Sequence, residues 1–271
     1  DLVAWRDEQL RPDTATITIV GDTTLAEIVP MLDQQFANWA APKMAHPNAS
    51  LAPVALPGKP RVFLIDQPGA VQANIVAAQV LPSSKDPGAV DLEFANSIIG
   101  GDFTSRLNMN LREDKHWSYG ARSSVGNALG QRLWMASAPV QIDKTIESIQ
   151  EMRKEIGDFA SGARAITPEE VARLQAINIR TLPGSYETAR SVLGTIGSIN
   201  RYGRPDDFVT WRKGRIEQET PASVQQVATA NLHPDALTWI VVGDRSKIED
   251  GIRKLDLGEV TVIDPDGKVV K

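Results

Sequence analysis

Two segments near opposite ends of the chain match each other without a gap. The first is residues 10–22, LRPDTATITIVGD, and the second is residues 232–244, LHPDALTWIVVGD. In both, Pro-Asp opens a turn, a β-branched run predicts a buried strand, and Gly-Asp ends the strand before a helix. The simplest account is a duplicated α/β domain. The alternative is that two separate α/β units share turn dipeptides that are common in proteins.

The repeat predicts where the domains divide. Each copy follows a helical stretch, 2–10 in one and 224–232 in the other, so helix, turn, strand and helix recur in order. We therefore expect residues 1–42 to be the C-terminal part of a preceding related α/β domain, and residues 60–271 to be a complete second domain. The segment between them, 43–59, is rich in Pro and Ala and lacks periodicity, which predicts a linker.

The second domain has the pattern of an α+β fold. Strand-like runs and amphipathic helices alternate irregularly and hairpins are present, which favours a two-layer sandwich over a doubly wound parallel sheet. We expect a mixed, largely antiparallel sheet with helices packed on one face. Strands are predicted at 61–66, 72–81, 117–125, 131–140 and in the repeated run of 232–244; helices are predicted at 25–39, 86–99, 105–112, 143–159, 167–182, 186–200, 206–218, 223–232 and 247–255.

Composition excludes several function classes. The 271 residues carry 29 Lys and Arg against 34 Asp and Glu, a formal net charge of -5, and no cluster of basic and aromatic residues, which argues against nucleic-acid binding. The absence of cysteine excludes disulfides, thiol catalysis and cysteine-based metal sites. The apolar runs are shorter than the roughly 20 residues that a membrane span needs.

Familiar catalytic motifs are also absent. His46, His116 and His233 do not have the spacing of a helical zinc motif, neither H-E-x-x-H nor H-x-x-E-H. There is no phosphate-binding loop and no G-x-S-x-G nucleophile elbow, and Gly100-Gly101 lacks the lysine that phosphate binding needs. We interpret His46 as a solvated linker residue, His116 as an exposed loop residue and His233 as part of a turn.

Adjacent carboxylates occur at Glu169-Glu170, directly after Thr167-Pro168. A threonine N-cap, a proline at the first helical position and a glutamate that completes a capping box explain this sequence. We therefore interpret the two carboxylates as helix-capping groups that also suit the helix dipole, and not as an acid/base pair.

Residues 100–121, GGDFTSRLNMNLREDKHWSYGA, resemble the second half of the pitrilysin/insulinase-type zinc metallopeptidases, the family with the inverted H-x-x-E-H motif. In that family an S-R-L, L-R-E and Y-[SG] series supplies an Arg and a Tyr from the domain without metal. Arg112 and Tyr119 have the same spacing, seven positions. The resemblance extends over nearly the whole chain: it includes the two Pro-Asp to Gly-Asp runs, DQPG at 66–69, IIGG at 98–101 and IDPDG at 263–267.

The resemblance implies the fold of one metallopeptidase half. The family builds a clamshell from two halves, each of two related α/β domains, and the zinc motif lies in the first half. This chain would then be the non-metal-binding half: it binds no metal or cofactor itself, and its partners are the H-x-x-E-H-bearing half and a peptide substrate. That half would be either a separate subunit or the N-terminal part of a longer chain.

The same resemblance implies a catalytic role for Arg112 and Tyr119. In the partner half, zinc would polarise the scissile carbonyl and activate water. Tyr119 would donate a hydrogen bond to the negative charge that develops on the carbonyl oxygen, and Arg112 would supply a fixed positive charge or a bidentate contact. The chain alone should be inactive. From spacing alone, Arg112 could simply end a helix and Tyr119 pack in a half-buried strand.

Three functions are consistent with these observations. The first is the non-metal half of a zinc metalloendopeptidase that binds extended peptides. The second is an inert structural or assembly subunit of the same superfamily, like processing-peptidase-like core proteins, although such a subunit has no reason to keep the Arg112/Tyr119 spacing. The third is a peptide-binding module that adds a strand to a sheet edge. Asp1 looks like a processed or cut end, and family habit favours a periplasmic over a cytoplasmic location.

Overall fold

The computed structural model describes residues 1–46 and 50–270. The chain forms two compact units, one made of Asp1–Ala52 with Thr181–Asp206 and the other of Pro53–Arg180 with Asp207–Lys271. The predicted linker 43–59 includes residues 47–49, which lie outside the described residues. Its described remainder contains no helix or strand.

The larger unit is built on a six-stranded sheet with the order β3-β4-β2-β5-β1-β6. β3 with β4, β4 with β2, and β2 with β5 pair antiparallel, whereas β1 pairs parallel with both β5 and β6. The expected mixed, largely antiparallel sheet is therefore confirmed. The strands are β1 Arg61–Asp66, β2 Gln72–Leu81, β3 Arg122–Val125, β4 Arg132–Gln141, β5 Thr238–Gly243 and β6 Glu259–Ile263.

Helices form the second layer of this unit. They are α3 Ala89–Asn96, α4 Arg106–Asn108, α5 Thr145–Ser161, α6 Pro168–Arg180, α8 Phe208–Glu217, α9 Pro221–Asn231 and α10 Arg245–Lys254. Two π-helical turns, Ser97–Gly101 and Met109–Asp114, directly continue α3 and α4. The smaller unit contains α1 Leu2–Gln9, α2 Leu25–Phe36 and α7 Ala189–Tyr202.

One face of the sheet is buried and the other is more open, as the strand pattern shows. Along β2, Ala73, Ile75 and Ala77 are buried, whereas Gln72 and Asn74 are exposed. This alternation follows from the two-residue period of a strand and predicts one face covered by helices. The covering side chains of α5 are Ile149, Met152, Ile156 and Phe159.

The first copy of the repeat does not form the predicted buried strand. Residues 15–20 belong to no strand and are mostly exposed, whereas the matching run in β5 lies between β1 and β2. Backbone amide and carbonyl groups of a strand need a neighbouring strand, and the described residues place none beside 15–20. The helix after this run forms as α2, and Thr24 with Glu27 makes a capping box.

Three other local expectations also need correction. The helices predicted at 86–99 and 105–112 both pass into π-helical turns, and the strand predicted at 117–125 is shortened to β3. Ser118 makes only an isolated bridge to Val140. Its hydroxyl donates to backbone carbonyls of the loop and of β4, and such local bonds compete with a regular strand ladder.

The buried side chain of Arg106, at the start of α4, links this helix to the first turn of α6. The side chain of Arg106 is 3% exposed and makes two 2.8 Å hydrogen bonds with the carboxylate of Glu170. Its guanidinium also donates to the carbonyl oxygens of Arg164 at 2.8 Å and Ala165 at 3.0 Å. Since every bond of this set satisfies a buried donor, the charge is tolerated in the protein interior.

Glu170 also caps α6, as the sequence predicted. Its carboxylate accepts the backbone N–H of Thr167 at 2.9 Å, and the Thr167 hydroxyl accepts the backbone N–H of Glu170 at 3.1 Å. Burial alone would raise the pKa of Glu170, but the hydrogen bonds from Arg106 and Thr167 outweigh it and hold the pKa below its ordinary value.

We predict that Glu170→Gln lowers the free energy of unfolding by about 3 kcal/mol at neutral pH, because it removes the charge that pairs with buried Arg106. Glutamine preserves the capping box, so the loss reports on the ion pair. The folded-state pKa of Glu170 is lowered, so its contribution is present above the unfolded value of about 4.3 and is lost as pH falls through the folded pKa. Denaturant unfolding at a series of pH values measures both effects.

The matched control for this variant is Glu169→Gln, on the exposed neighbour in the same helical turn. It should change stability by less than about 0.5 kcal/mol. An equal loss in both variants, or a difference from wild type that does not shrink in acid, would contradict the ion-pair account.

Candidate functional site

A cavity of about 440 Å³ opens where the first π-helical turn meets β3. It lies within the larger unit, at the edge strand of the sheet. Its lining residues are Gly100, Gly101, Asp102, Phe103, Asn108, Tyr119, Gly120, Ala121, Arg122 and Pro139.

Gly100, on the wall of this cavity, packs so closely against β3 that only glycine fits there. A Cβ atom at Gly100 would lie 2.3 Å from the backbone nitrogen of Ser123 and 2.4 Å from its Oγ. The Ser123 hydroxyl donates to Asn96 Oδ1 at 2.6 Å, and the indole N–H of Trp134 donates to the same oxygen at 2.9 Å. This polar junction fixes the π-helical turn against the sheet, and such turns often occur at functional sites.

Arg112 lies on the second π-helical turn and its guanidinium stacks on an aromatic ring. Its Cζ is 4.9 Å from the centre of the Phe103 ring, and its Nε is 3.3 Å from Glu113 Oε1. The side chain is 41% exposed, so the cation–π contact is worth about 0.5–1 kcal/mol. Arg112 is thus positioned by stacking and keeps most of its hydrogen-bond donors available.

Tyr119 lines the cavity from the loop between Trp117 and β3. It is 88% exposed, and no group in the described part of the chain hydrogen-bonds its hydroxyl. The backbone around it is fixed, since the Ser118 hydroxyl bonds to the carbonyls of Pro139 at 2.6 Å and Gly120 at 3.0 Å. A free phenolic donor therefore projects from an anchored loop.

Asn108 connects the two loops that carry the aromatic residues. Its buried side chain donates to the carbonyl of Phe103 at 2.7 Å and accepts the backbone N–H of Ala121 at 3.2 Å. One amide therefore sets the spacing between Phe103 and the segment that follows Tyr119. Neither Asn108 nor Phe103 is predicted from the sequence, because nothing in the sequence distinguishes Asn108 from the other polar residues of that short helix.

Asp102 places a negative charge on the cavity wall. Its carboxylate accepts bonds from the Thr104 backbone at 3.0 Å, the Thr104 hydroxyl at 2.6 Å and Arg173 at 2.8 Å. Partial burial favours a raised pKa, but the bonds from Thr104 and the charge of Arg173 hold the pKa of Asp102 below its ordinary value. The group is therefore ionised at neutral pH.

The structure brings Arg112 and Tyr119 to one region of the surface, as their assignment to one site requires. Arg112 contacts Phe103, and Phe103 and Tyr119 line the same cavity. His116 lies between them in sequence and is exposed, as predicted, with its Nδ1 2.9 Å from the carbonyl oxygen of Arg112. The catalytic role of the Arg112/Tyr119 pair stays a prediction.

The residues that the structure describes do not form a zinc site. Across 1–46 and 50–270, no three His, Asp or Glu side chains come together in a way that could hold a metal ion. In the same ranges, no helix combines the length and the apolarity required to cross a membrane.

A protein-family model described as the peptidase M16 inactive domain matches residues 1–178. A structure of the peptidase M16 inactive domain from Pseudomonas fluorescens is similar to this chain, with 19% identity, a TM-score of 0.69, and coverage of 83% of this chain and 52% of that one. A protease from Helicobacter pylori gives 15% identity and a TM-score of 0.80, with coverage of 88% and 57%.

The periplasmic protease PqqL from Escherichia coli gives 16% identity and a TM-score of 0.60, with coverage of 82% of this chain and 24% of that one. No curated protein matches the chain significantly. The chain spans about half the length of the first two structures, 52% and 57%. At these identities the likeness establishes the fold, which is that of a metallopeptidase half.

We predict that Gly100→Ala destabilises the protein by about 3 kcal/mol, because its Cβ would overlap the backbone of Ser123. Gly157→Ala is the matched control, since Gly157 lies in α5 with nothing within 4 Å of an added Cβ. That control should stabilise the protein by about 0.5–1 kcal/mol through helix propensity. Denaturant unfolding measures both, and a Gly100→Ala variant as stable as wild type would show that the close contact is not a constraint.

Proposed function

Since the chain belongs to the peptidase M16 inactive-domain family, we propose that it is the non-metal-binding half of a zinc-dependent metalloendopeptidase that binds extended peptides. The observation that carries the proposal is the cavity at β3, which is lined by the exposed Tyr119 and by Phe103, the ring on which Arg112 stacks. The Tyr119 hydroxyl can bind a peptide without losing a hydrogen bond to any described residue, and Arg112 has an ion pair only with the neighbouring Glu113 among these residues.

In this proposal, Tyr119 and Arg112 bind and orient the peptide carbonyl. The Tyr119 hydroxyl donates a hydrogen bond to the carbonyl oxygen, and the bond strengthens as negative charge develops there. The guanidinium of Arg112 presents a planar set of donors that suits carbonyl or carboxylate oxygens. Stacking on Phe103 limits the orientations of its guanidinium, so less conformational entropy is lost when the peptide binds.

Hydrolysis then depends on a second, metal-binding half. Among the described residues, no group of three or more His, Asp or Glu side chains could hold a metal ion, so the proposal assigns zinc and the base that activates water to the H-x-x-E-H-bearing half. This chain is expected to be inactive alone. An inert assembly subunit is the weaker alternative, since such a subunit gains nothing from an exposed, unbonded Tyr119 hydroxyl. A periplasmic location is part of the proposal, in keeping with the periplasmic protease PqqL.

We predict that Tyr119→Phe, assayed on an unstructured peptide with the metal-binding half present, lowers kcat by about 10²–10³, the usual value of one oxyanion donor. Tyr186→Phe, in the smaller unit, is the control and should leave kcat unchanged. Zinc content and assembly have to be equal in all samples. Unchanged turnover in Tyr119→Phe would favour the assembly subunit instead.

We predict that Arg112→Lys lowers kcat/KM by about tenfold without loss of stability, because lysine keeps the charge but loses the planar fork and the stacking. The control is Arg61→Lys, since Arg61 makes the same kind of contact with Phe63, at 5.6 Å, outside the cavity. Steady-state kinetics on one peptide measures both variants. An equal kcat/KM for Arg112→Lys and wild type would show that Arg112 does not take part in the site.

A further inference from the structure

The motif Asp66-Gln67-Pro68-Gly69 builds a second cavity that the proposed reaction does not use. The backbone N–H of Ala70 donates to the carbonyl of Gln67 at 3.1 Å, which closes a turn with Gly69 at φ +75°. Such a turn needs a residue that tolerates positive φ after proline. The backbone N–H of Gly69 donates to Asp244 Oδ2 at 3.1 Å, so the turn is fixed against the end of β5.

The second cavity also measures about 440 Å³ and shares Pro139 with the first cavity. We propose that the two cavities form one track for an extended peptide, and that Gln72 and Asn74 bind the peptide backbone in its second part. This inference rests on the proposed function. The lining of the second cavity is Gln67, Gly69, Ala70, Val71, Gln72, Ala73, Asn74, Pro139 and Val242.

Strand register places Asn74 between the two cavities. Asn74 pairs with Pro139 of β4 on one side and with Val242 of β5 on the other. Gln72 lies two residues earlier on the same open face of β2, next to Gln141 of β4. Facing residues on paired strands have Cβ atoms about 4.5–5.5 Å apart, so Gln72 lies beside the polar Gln141 and Asn74 lies between the apolar Pro139 and Val242.

The side chains of Gln72 and Asn74 are available for a ligand. Both are exposed, and neither makes a side-chain hydrogen bond with any residue that the structure describes. Each primary amide offers two donors and one carbonyl acceptor, the pattern that matches a peptide backbone. The neighbouring carboxylate of Asp244 is already occupied by Gly69 and by the Ser246 hydroxyl at 2.6 Å.

The chemistry of the second cavity selects an uncharged partner. No Lys, Arg, His, Asp or Glu is among its lining residues. A charged peptide end would enter this space without a counter-ion, whereas backbone amides would find the amides of Gln72 and Asn74. The occupant is therefore the interior of a peptide chain rather than its charged terminus.

The track has a minimum length. From β3 to β5 the sheet order crosses three strand spacings, which is about 14 Å at about 4.8 Å each. An extended chain covers that distance in about four residues. A peptide that only fills the first cavity therefore does not reach Gln72.

The test is a titration of the ¹⁵N-labelled chain with two unstructured peptides, one of about two and one of about ten residues, with uncharged side chains and capped ends. Only the longer peptide should shift the side-chain amide resonances of Gln72 and Asn74. The double variant Gln72→Ala/Asn74→Ala should weaken binding of the longer peptide by about thirtyfold, since two hydrogen bonds of about 1 kcal/mol each are lost and about 1.4 kcal/mol is a factor of ten. Binding of the shorter peptide should not change.

Gln150→Ala, on an exposed amide of α5, is the control and should bind both peptides as wild type does. If Tyr119 resonances shift with both peptides while Gln72 and Asn74 stay unmoved, the track is wrong and the proposed function stands. If neither peptide shifts Tyr119, Gln72 or Asn74, both proposals are overturned.

Discussion

The buried guanidinium of Arg106 is the interaction on which the functional region depends. It binds the carboxylate of Glu170 and the carbonyls of two residues before α6, and its Cζ lies 5.4 Å from the ring centre of Phe159. Phe103, Asn108 and Arg112 all lie within six positions of it in sequence. A charge that is so deeply buried tolerates few alternative arrangements, because each lost bond leaves an unsatisfied donor in the interior. The buried bonds of Arg106 thus fix this segment on its inner side, and its solvent-exposed side is available to a ligand.

The candidate site combines fixed backbone with free side chains. The loops are fixed by hydrogen bonds of Asn108 and Ser118 and by the close packing of Gly100. In contrast, Tyr119 and Arg112 make few contacts that stabilise the fold. This division suits a binding surface, since the groups that meet the ligand need not exchange internal bonds for external ones.

The fold was predictable from sequence where local pattern and tertiary context agree. β1 was placed at its observed bounds, 61–66, and the capping box at Thr167 was recognised, because alternation and capping are local properties. Residues 15–20 have the same sequence pattern as β5, but no described strand lies beside them. Whether a partner strand is present depends on the tertiary structure and cannot be predicted from a local pattern. Arg112 and Tyr119 were identified only through family resemblance. Their spacing alone fits a helix end and a strand, and π-helical turns have no distinct sequence period.

The parallel pairing of β1 has a consequence for how the polypeptide acquires its fold. Arg61 contacts Thr238 across 177 positions of sequence, and β1 takes its other neighbour from residues 259–263. When both partners of a strand are so distant in sequence, its inter-strand hydrogen bonds form late in folding. Closing so long a loop costs conformational entropy before any hydrogen bond offsets that cost. During synthesis β2 and β4 can pair early, whereas β1 waits until residues 238–263 have left the ribosome. This apolar strand is therefore unpaired while residues 67–237 are made, and during that interval the nascent chain is exposed to aggregation.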